Sequence, residues 1–445
     1  MSEKKNVLSE ECKEAMKNLP PDINPVDGAQ FFLELSENNE ALLPLCFRRL
    51  PKGLAADIFS YMDNDLKTKL ILSFTDSEII SVISSLASDD AAHTIDELPA
   101  NVVDRILRYI PGDKRKDINH ILSYPEDSAG SIMTVEYIDL RPGMTVEGAL
   151  DRIREVGLDK ETIYNCYVTE SRQLKGVVSA RQLLTSDKNV VLKDIMECNV
   201  ISVFTEEDKE TAVQKLSKYD LDALPVVDRE SRLVGIVTFD DAIEIIQEEA
   251  TEDMEKMAAI VPSEKPYLRT GVFSAYTKRV PWLLFLMLSA TFTGKILGFF
   301  EQALSTELAL TMFIPMLMDT GGNAGGQASM MIMRSLSLGE ITPGDYLRIV
   351  WKEIRIAVLC GITLAAATFL KVLIIDRLSM GIAATVCLTL AAAVVLAKFI
   401  GATLPMLAKA LKFDPAVMAS PLITTIVDAI SLIVYFNIAK AILNL

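Results

Sequence analysis

Apolar positions divide the chain into two parts with different rhythms. From residue 1 to about 270 they are spaced among charged side chains, and from 281 to 445 they run almost without interruption. Over the first 125 or so residues the spacing is helical with short breaks. Leu50-Pro51 and Leu98-Pro99 each open a segment that continues with apolar residues a turn apart. Near-repeats of that kind predict short stacked helices in a small superhelical domain. From about 130 the order becomes strand, helix, strand, strand, helix, and it occurs twice in copies of about 60 residues. One copy contains Ser131-Ile-Met133, Tyr164 to Val168 and Leu174-Lys-Gly176 through Gln182. The other contains Asp194-Ile-Met196, Ala223 to Asp228 and Leu233-Val-Gly235 through Asp241.

The apolar half holds five segments long enough for a bilayer core of about 30 Å, which needs roughly 20 residues. They lie near Pro281–Phe300, Leu308–Met333, Ile354–Ile375, Met380–Leu407 and Pro421–Leu443. A separate interfacial helix ending at Lys278-Arg279 is expected just before them. Lys278, Arg279, Arg334, Arg348, Lys352, Arg355, Lys409 and Lys412 flank one side, whereas the other has chiefly Lys371 and Arg377. That bias predicts a multi-pass protein of the cytoplasmic (plasma) membrane with its N-terminus inside and its C-terminus outside. The polar start, Met1 to Lys5, lacks the apolar core of a signal peptide, which agrees with a cytoplasmic soluble half. An odd number of spans with one large soluble part is not an inverted repeat, so a symmetric homodimer is the simplest way to enclose a pathway.

Charge and composition then narrow the chemistry. A net charge of −16 leaves no basic stripe for phosphates and excludes nucleic acid as a partner; it suits cations, while the spans meet membrane lipid. Six scattered cysteines without a C-x-x-C pair, and two histidines, His93 and His120, indicate no disulfide framework, zinc site or His-based triad. With no nucleophile–base pair in view, the chain is not read as an enzyme.

Polar residues inside the apolar half carry the functional signal, because a carboxylate or amide at membrane depth is expensive. Within Leu308–Met333 lies Asp319-Thr-Gly321-Gly322-Asn323-Ala-Gly325-Gly326-Gln327, read as a glycine-rich break in the helix, tolerated where it lines a cavity. In the fifth span Ser420, Thr424, Asp428, Ser431 and Tyr435 follow helical spacing and make a polar stripe, with Thr425 beside it. Asp319, Gly321, Gly322, Asn323, Gly325, Gly326, Gln327, Ser420, Thr424, Thr425 and Ser431 are the expected pore-lining set around Asp428. Lys295 and Lys398, near segment ends, are read as snorkelling or paired. In the soluble half, Asp240 to Glu255 hold eight acids without a base. Asp241, Glu244, Glu248, Glu252 and Glu255 share one helical face, where like charges repel. A solvated charged face is the usual reading of such a run, but this one stands between a regulatory and a membrane part. Asp89-Asp90 mark a helix start, either as caps or as cation ligands. All candidate ligands are oxygens, which disfavours soft metals and suits Mg²⁺, held through one or two carboxylates and retained waters.

The duplicated unit resembles a tandem CBS pair. The second copy ends Thr238-x-x-Asp241, which matches that family's ribose-binding form, and the first ends Ser179-x-x-Gln182; ATP or another adenine nucleotide at Thr238 and Asp241 is therefore one expectation, against a purely regulatory or dimerising role. The whole chain resembles the MgtE family of magnesium channels, through Gly321 to Gln327, Asp414-Pro415-Ala416 to Asp428, and Tyr124-Pro125-Glu126-Asp127-Ser128-Ala129-Gly130. The resemblance implies a homodimer and makes Asp428 the pore carboxylate. It also implies that Asp208, Glu210, Asp220, Asp241, Glu244, Glu249, Glu252 and Asp253 belong to intracellular Mg²⁺ sites, with a backbone oxygen from Gly130 and Asp89 or Asp90 as a further partner. Gly326 and Ser420 stand where relatives can carry an amide.

The expected architecture is multi-domain: a cytoplasmic α-helical superhelical N domain (1–128), α/β tandem CBS domains (129–192 and 193–247), an acidic connecting plug helix and linker (248–280), and an all-α five-span transmembrane domain (281–445). The expected function is Mg²⁺ passage through a pore that closes when Mg²⁺ bridges the cytoplasmic acids. Passage of Co²⁺ or Mn²⁺, a coupled carrier and a membrane-anchored CBS nucleotide sensor are the rival readings.

Overall fold

A computed structural model describes residues 10–443 apart from 18, 21, 97, 264–266, 301–306 and 419. It separates into two compact units, Met1–Ile246 and Gln247–Leu445.

The first unit opens with short helices α1 (Pro25–Asn39), α2 (Leu43–Phe47), α3 (Lys52–Ser60), α4 (Asn64–Ser73), α5 (Asp76–Ile83), α6 (Ser88–Asp96), α7 (Ala100–Tyr109) and α8 (Gly112–Ile121). Prolines set several starts. Pro51, Pro99 and Pro111 are the N-cap residues of α3, α7 and α8, at helix ends whose first N–H groups have no intrahelical acceptor in any case. Alternate helices stack, α1 on α3, α3 on α5, and α5 on α7, around Phe32, Phe47, Phe59, Leu70 and Ile83. This is the superhelix expected from the near-repeats.

Two three-stranded sheets follow, with the same topology. In the first, β1 (Ile138–Leu140) runs parallel to β2 (Asn165–Glu170), which pairs antiparallel with β3 (Gln173–Ser179); α9 (Val146–Val156) and α10 (Ala180–Thr185) accompany them. In the second, β4 (Val203–Phe204), β5 (Ala223–Val227) and β6 (Leu233–Thr238) repeat that order, with α11 (Lys209–Lys218). The two copies exchange their leading edges. Thr134 pairs with Ile236 of β6, and Glu197 pairs with Val177 of β3. Ala129 and Met133 belong to the core of the second sheet, while Leu192, Ile195 and Met196 pack on the first. Each copy's leading Ile-Met thus crosses to the other's sheet.

That exchange explains two glycines. A Cβ on Gly176 would lie 2.8 Å from Met196 Sδ and 2.9 Å from the Glu197 carbonyl, and one on Gly235 would lie 2.6 Å from Met133 Sδ. The Met and the Gly recur in both copies because each methionine lies over the other sheet's glycine, where only a missing side chain leaves room.

Helix α12 (Phe239–Met257) continues from β6, its leading turns in the first unit and its trailing turns in the second. The second unit then contains α13 (Val272–Phe299), α14 (Ile314–Ser337), α15 (Tyr346–Ile374), α16 (Met380–Ala410) and α17 (Ser420–Leu443). Among the described residues four helices are long and apolar enough to cross a membrane, namely α13, the helix ending at Ile374, α16 and α17. α14 has the length, but Asp319 to Gln327 lower its hydropathy. α13 joins the expected interfacial helix and first span into one element, with Pro281 inside it. α14 starts at Ile314 because Pro315 occupies its first turn, the position that tolerates proline.

Candidate functional site

In the first unit, carboxylates distant in sequence are brought together at the first turn of α6. Glu136 is the satisfied member. It accepts from Ser88 Oγ at 2.7 Å, Thr134 Oγ1 at 2.7 Å and Lys114 Nζ at 3.0 Å. Burial would raise its carboxyl, but these donors outweigh it and hold the group below its ordinary value. It is a clamp from α6 and α8 to the start of the first sheet.

Next to it the carboxylates are crowded and lack such donors. Asp89 Oδ1 is buried with no hydrogen-bond partner among the described residues. Burial, then Asp241, Asp90, Glu161 and Glu136, push the Asp89 carboxyl well up. Burial, offset by Lys67, His93 and Lys114 and reinforced by Glu244, raises Asp90. Asp241 is pushed up to about 6, by burial first and then by Asp240, Asp90 and Glu244, although Thr238 Oγ1 donates to it at 2.5 Å. Glu161, an exposed residue whose carboxylate is partly desolvated against this group, is pushed up to about 7 by that desolvation, then by Asp241 and Asp240. Glu136 and Glu161 were missed from the sequence. Neither lies in an acidic run or a motif, and only the fold delivers them.

The remaining acids assigned to cation sites are scattered. Asp208 N-caps α11 by accepting from Glu210 N at 2.8 Å, and Asp220 follows that helix with φ 50°. Gly130 donates its N–H to the Thr205 carbonyl at 3.0 Å, which puts it on the same short ladder as Asp208. Among the described residues no three His, Cys, Asp or Glu side chains are arranged to hold a metal ion. Thr238 and Asp241, the residues expected to hold a ribose, are hydrogen-bonded to each other. In the first copy Ser179 is the N-cap of α10 and Gln182 completes its capping box, and that amide offers no carboxylate.

On the trailing half of α12, Lys256 Nζ reaches Glu252 at 2.5 Å and Asp414 at 2.7 Å. Asp253 accepts from Ser337 Oγ at 3.0 Å, and Glu255 from Ser263 N at 2.7 Å. Burial would lower Lys256, but the two carboxylates win and hold it above its ordinary value. The acidic face therefore does not act as one stripe.

In the membrane unit the glycine run is not a break. α14 is a continuous helix from Ile314 to Ser337, so its carbonyls stay in the helical ladder. Gly321, Gly322 and Gly325 are buried, at points of close helix packing. A Cβ at Gly322 would sit 3.0 Å from Thr424 Cγ2, one at Gly321 3.1 Å from Ser431 Oγ, and one at Gly325 3.1 Å from the Ala397 carbonyl. Small residues let membrane helices approach in this way. Ser431 is buried against Gly321, and Tyr435 donates to the Leu310 carbonyl at 2.9 Å; both are structural. Thr424 and Thr425 each donate to the Pro421 carbonyl. The Ser420 side chain lies outside the described residues.

What stays open is one face of α14, with Asp319, Asn323 and Gln327 exposed at intervals of four and Gly326 half-buried, and Asp428 of α17. Asp428 is half-buried and makes no hydrogen bond or ion pair among the described residues; Asp319 is the charge that acts on it. Two carboxylates, two amides and hydroxyls are a donor set for a hard cation that keeps part of its water.

Sequence profiles of three families match the chain: a divalent cation transporter family, MgtE, over 314–438; the MgtE intracellular N domain over 23–127; and the CBS domain over 192–248. The chain is 33% identical to the magnesium transporter MgtE of Thermus thermophilus, covering 98% of this chain and 97% of that protein. It is 30% identical to the MgtE of Bacillus subtilis over 95% of this chain and 93% of that one. A crystal structure of the cytosolic domain of the Mg²⁺ channel MgtE in complex with ATP aligns with a TM-score of 0.50 and 32% identity, covering 54% of this chain and 98% of that one.

Proposed function

Because the chain belongs to the MgtE family of magnesium transporters, we propose that it forms a homodimeric Mg²⁺ channel of the cell membrane whose cytoplasmic carboxylates sense Mg²⁺ and close the pore. The observation that carries this reading is Asp428, a carboxylate on an apolar membrane helix with no protein partner and with Asp319 acting on it. Such a residue is a functional site by default, and an all-oxygen surrounding favours Mg²⁺ over softer metals. α13 is almost entirely unburied within the chain, as expected of a helix that meets lipid or a second copy. Lysines and arginines favour an inside N-terminus and an outside C-terminus.

Cytoplasmic sensing is supported by the orphaned Asp89 oxygen and the raised carboxyls around it. Asp89, Asp90, Glu161, Asp241 and Glu244 form an acidic patch whose repulsion nearby cations would relieve. Each close pair contributes on the order of 1 to 4 kcal/mol. Several pairs match the roughly 5.5 kcal/mol needed to switch a two-state equilibrium almost fully. Asp208, Glu210, Asp220, Glu249, Glu252, Asp253 and the Gly130 backbone remain candidate ligands in other conformations. Thr238 and Asp241 suit the ribose of an adenine nucleotide. Since Asp241 also belongs to the acidic cluster, nucleotide and cation binding would be linked.

Mg²⁺ uptake into proteoliposomes tests the transport reading. Asp428→Asn should lower flux at least tenfold, and a variant that transports like wild type would favour a membrane-anchored sensor.

A further inference from the structure

The polar face of α14 has a charged neighbour of the opposite sign. A cavity of about 200 Å³ lies among α14, α15 and α16, with Asp319, Asn323 and Gln327 on one wall and Lys398 on another. It has room for several waters and enough polar groups to hold them. Lys398 is 5% exposed, and its ion-pair partner is Glu353 of α15 at 3.7 Å. That distance is too long for a hydrogen bond. The ammonium has three donors to satisfy, and the cavity that Lys398 lines also carries the Asp319 carboxylate and the Asn323 and Gln327 amides. Gly401, three residues along α16 and on the same face, touches the Gly325 carbonyl of α14, where an added Cβ would overlap that oxygen. The lysine is therefore held against the helix that carries Asp319.

A buried lysine–glutamate pair could merely join α15 to α16. Its position on the wall of the Asp319 cavity argues for more, since intramembrane charges are retained where they serve a pathway. We propose that Lys398 is a specificity-determining residue of the pathway: its ammonium stands in the Asp319 chamber as a tethered cation and limits how tightly Asp319 and Asp428 hold a divalent ion. A fixed positive charge opposes a permeant ion in proportion to that ion's charge, so it acts twice as strongly on Mg²⁺ as on a monovalent ion. Conduction needs a site that binds well enough to fill and weakly enough to empty. With Asp319, Asp428 and Glu353 uncompensated, the divalent ion would stay; with Lys398 present, it leaves.

The inference rests on the transport reading. Its test is initial Mg²⁺ uptake by the reconstituted full-length protein as a function of Mg²⁺ concentration. Lys398→Gln should half-saturate at a three- to tenfold lower concentration and reach a lower maximal flux, whereas Lys398→Arg should keep both wild-type values. Lys398→Gln with Glu353→Gln removes the pair without leaving a charge stranded and should give the same shift, which keeps the test informative where the single variant folds poorly. In an Asp319→Asn background the shift should vanish. A neutral double variant with wild-type half-saturation and flux would overturn the role of Lys398, as would a shift that persists undiminished without Asp319. Loss of the transport reading would show separately, as wild-type flux through Asp428→Asn.

Discussion

The two halves of α12 share a composition and stand in opposite electrostatic conditions. On the leading turns Asp241 and Glu244 face Asp89, Asp90 and Glu161, and carboxyls there are pushed up by burial first and then by one another. On the trailing turns Glu252 shares Lys256 with Asp414, and Asp253 takes the Ser337 hydroxyl. An acidic run is therefore neither a sensor nor a solvated face by composition alone. Where carboxylates are buried together they raise one another; where a lysine is built in, they are paired.

Removing the contrast at its stronger end should have the largest effect. Asp89→Asn with Glu161→Gln and Asp241→Asn should make the divalent-free protein more heat-stable at neutral pH and abolish further stabilisation by Mg²⁺. A site filled at 100 times its dissociation constant contributes about 2.7 kcal/mol, so thermal melts with and without Mg²⁺ would register the loss. Mg²⁺ stabilisation of wild-type size in that variant would remove the cluster from the sensing role.

Protons should substitute for the cation on the leading half. Asp241 folds with its carboxyl at about 6 against an ordinary value of roughly 3.9 in the unfolded chain. The folded state thus binds more protons between those values, and stability falls as pH rises through that window and levels off above it. At about 1.4 kcal/mol per pH unit, Asp241 alone accounts for roughly 2 to 3 kcal/mol. Without divalents, melting should drop between about pH 4 and 6, and saturating Mg²⁺ should flatten the curve. A flat curve without Mg²⁺ would contradict the raised carboxyls.

The smallest effect is expected at the trailing half. Lys256→Gln strands Glu252 and Asp414, but these groups are partly exposed, so the cost should be about 1 kcal/mol, read as a melting shift of roughly 2 to 4 °C. The same variant should respond to Mg²⁺ more strongly than wild type, because a free cation would then take the place of the ammonium. An unchanged response would leave Lys256 as an ordinary surface pair.

Much of the fold was legible in the chain. The presence of apolar spans, the duplicated α/β unit and the prolines that start α3 and α7 all follow from local spacing. The glycine run was legible as special but not as what it is. Four glycines read alone suggest a broken helix, yet α14 continues because α16 and α17 pack against it, and the energy of those contacts offsets the weak propensity of glycine. The exchange of Met133 and Met196 between sheets was invisible, since two equal repeats do not say which sheet each edge joins.

Local period and composition belong to neighbouring residues, and so the sequence by itself determined the helices, the two kinds of domain, the apolar spans and the oxygen-only chemistry of the candidate cation ligands. Partners belong to the fold. Ser88 meets Glu136 across 48 positions, Lys256 meets Asp414 across 158, and Lys398 finds Glu353 on another helix. Whether a carboxylate is clamped, crowded or left open to an ion depends on what surrounds it in a low-dielectric interior, and only the tertiary structure decided that.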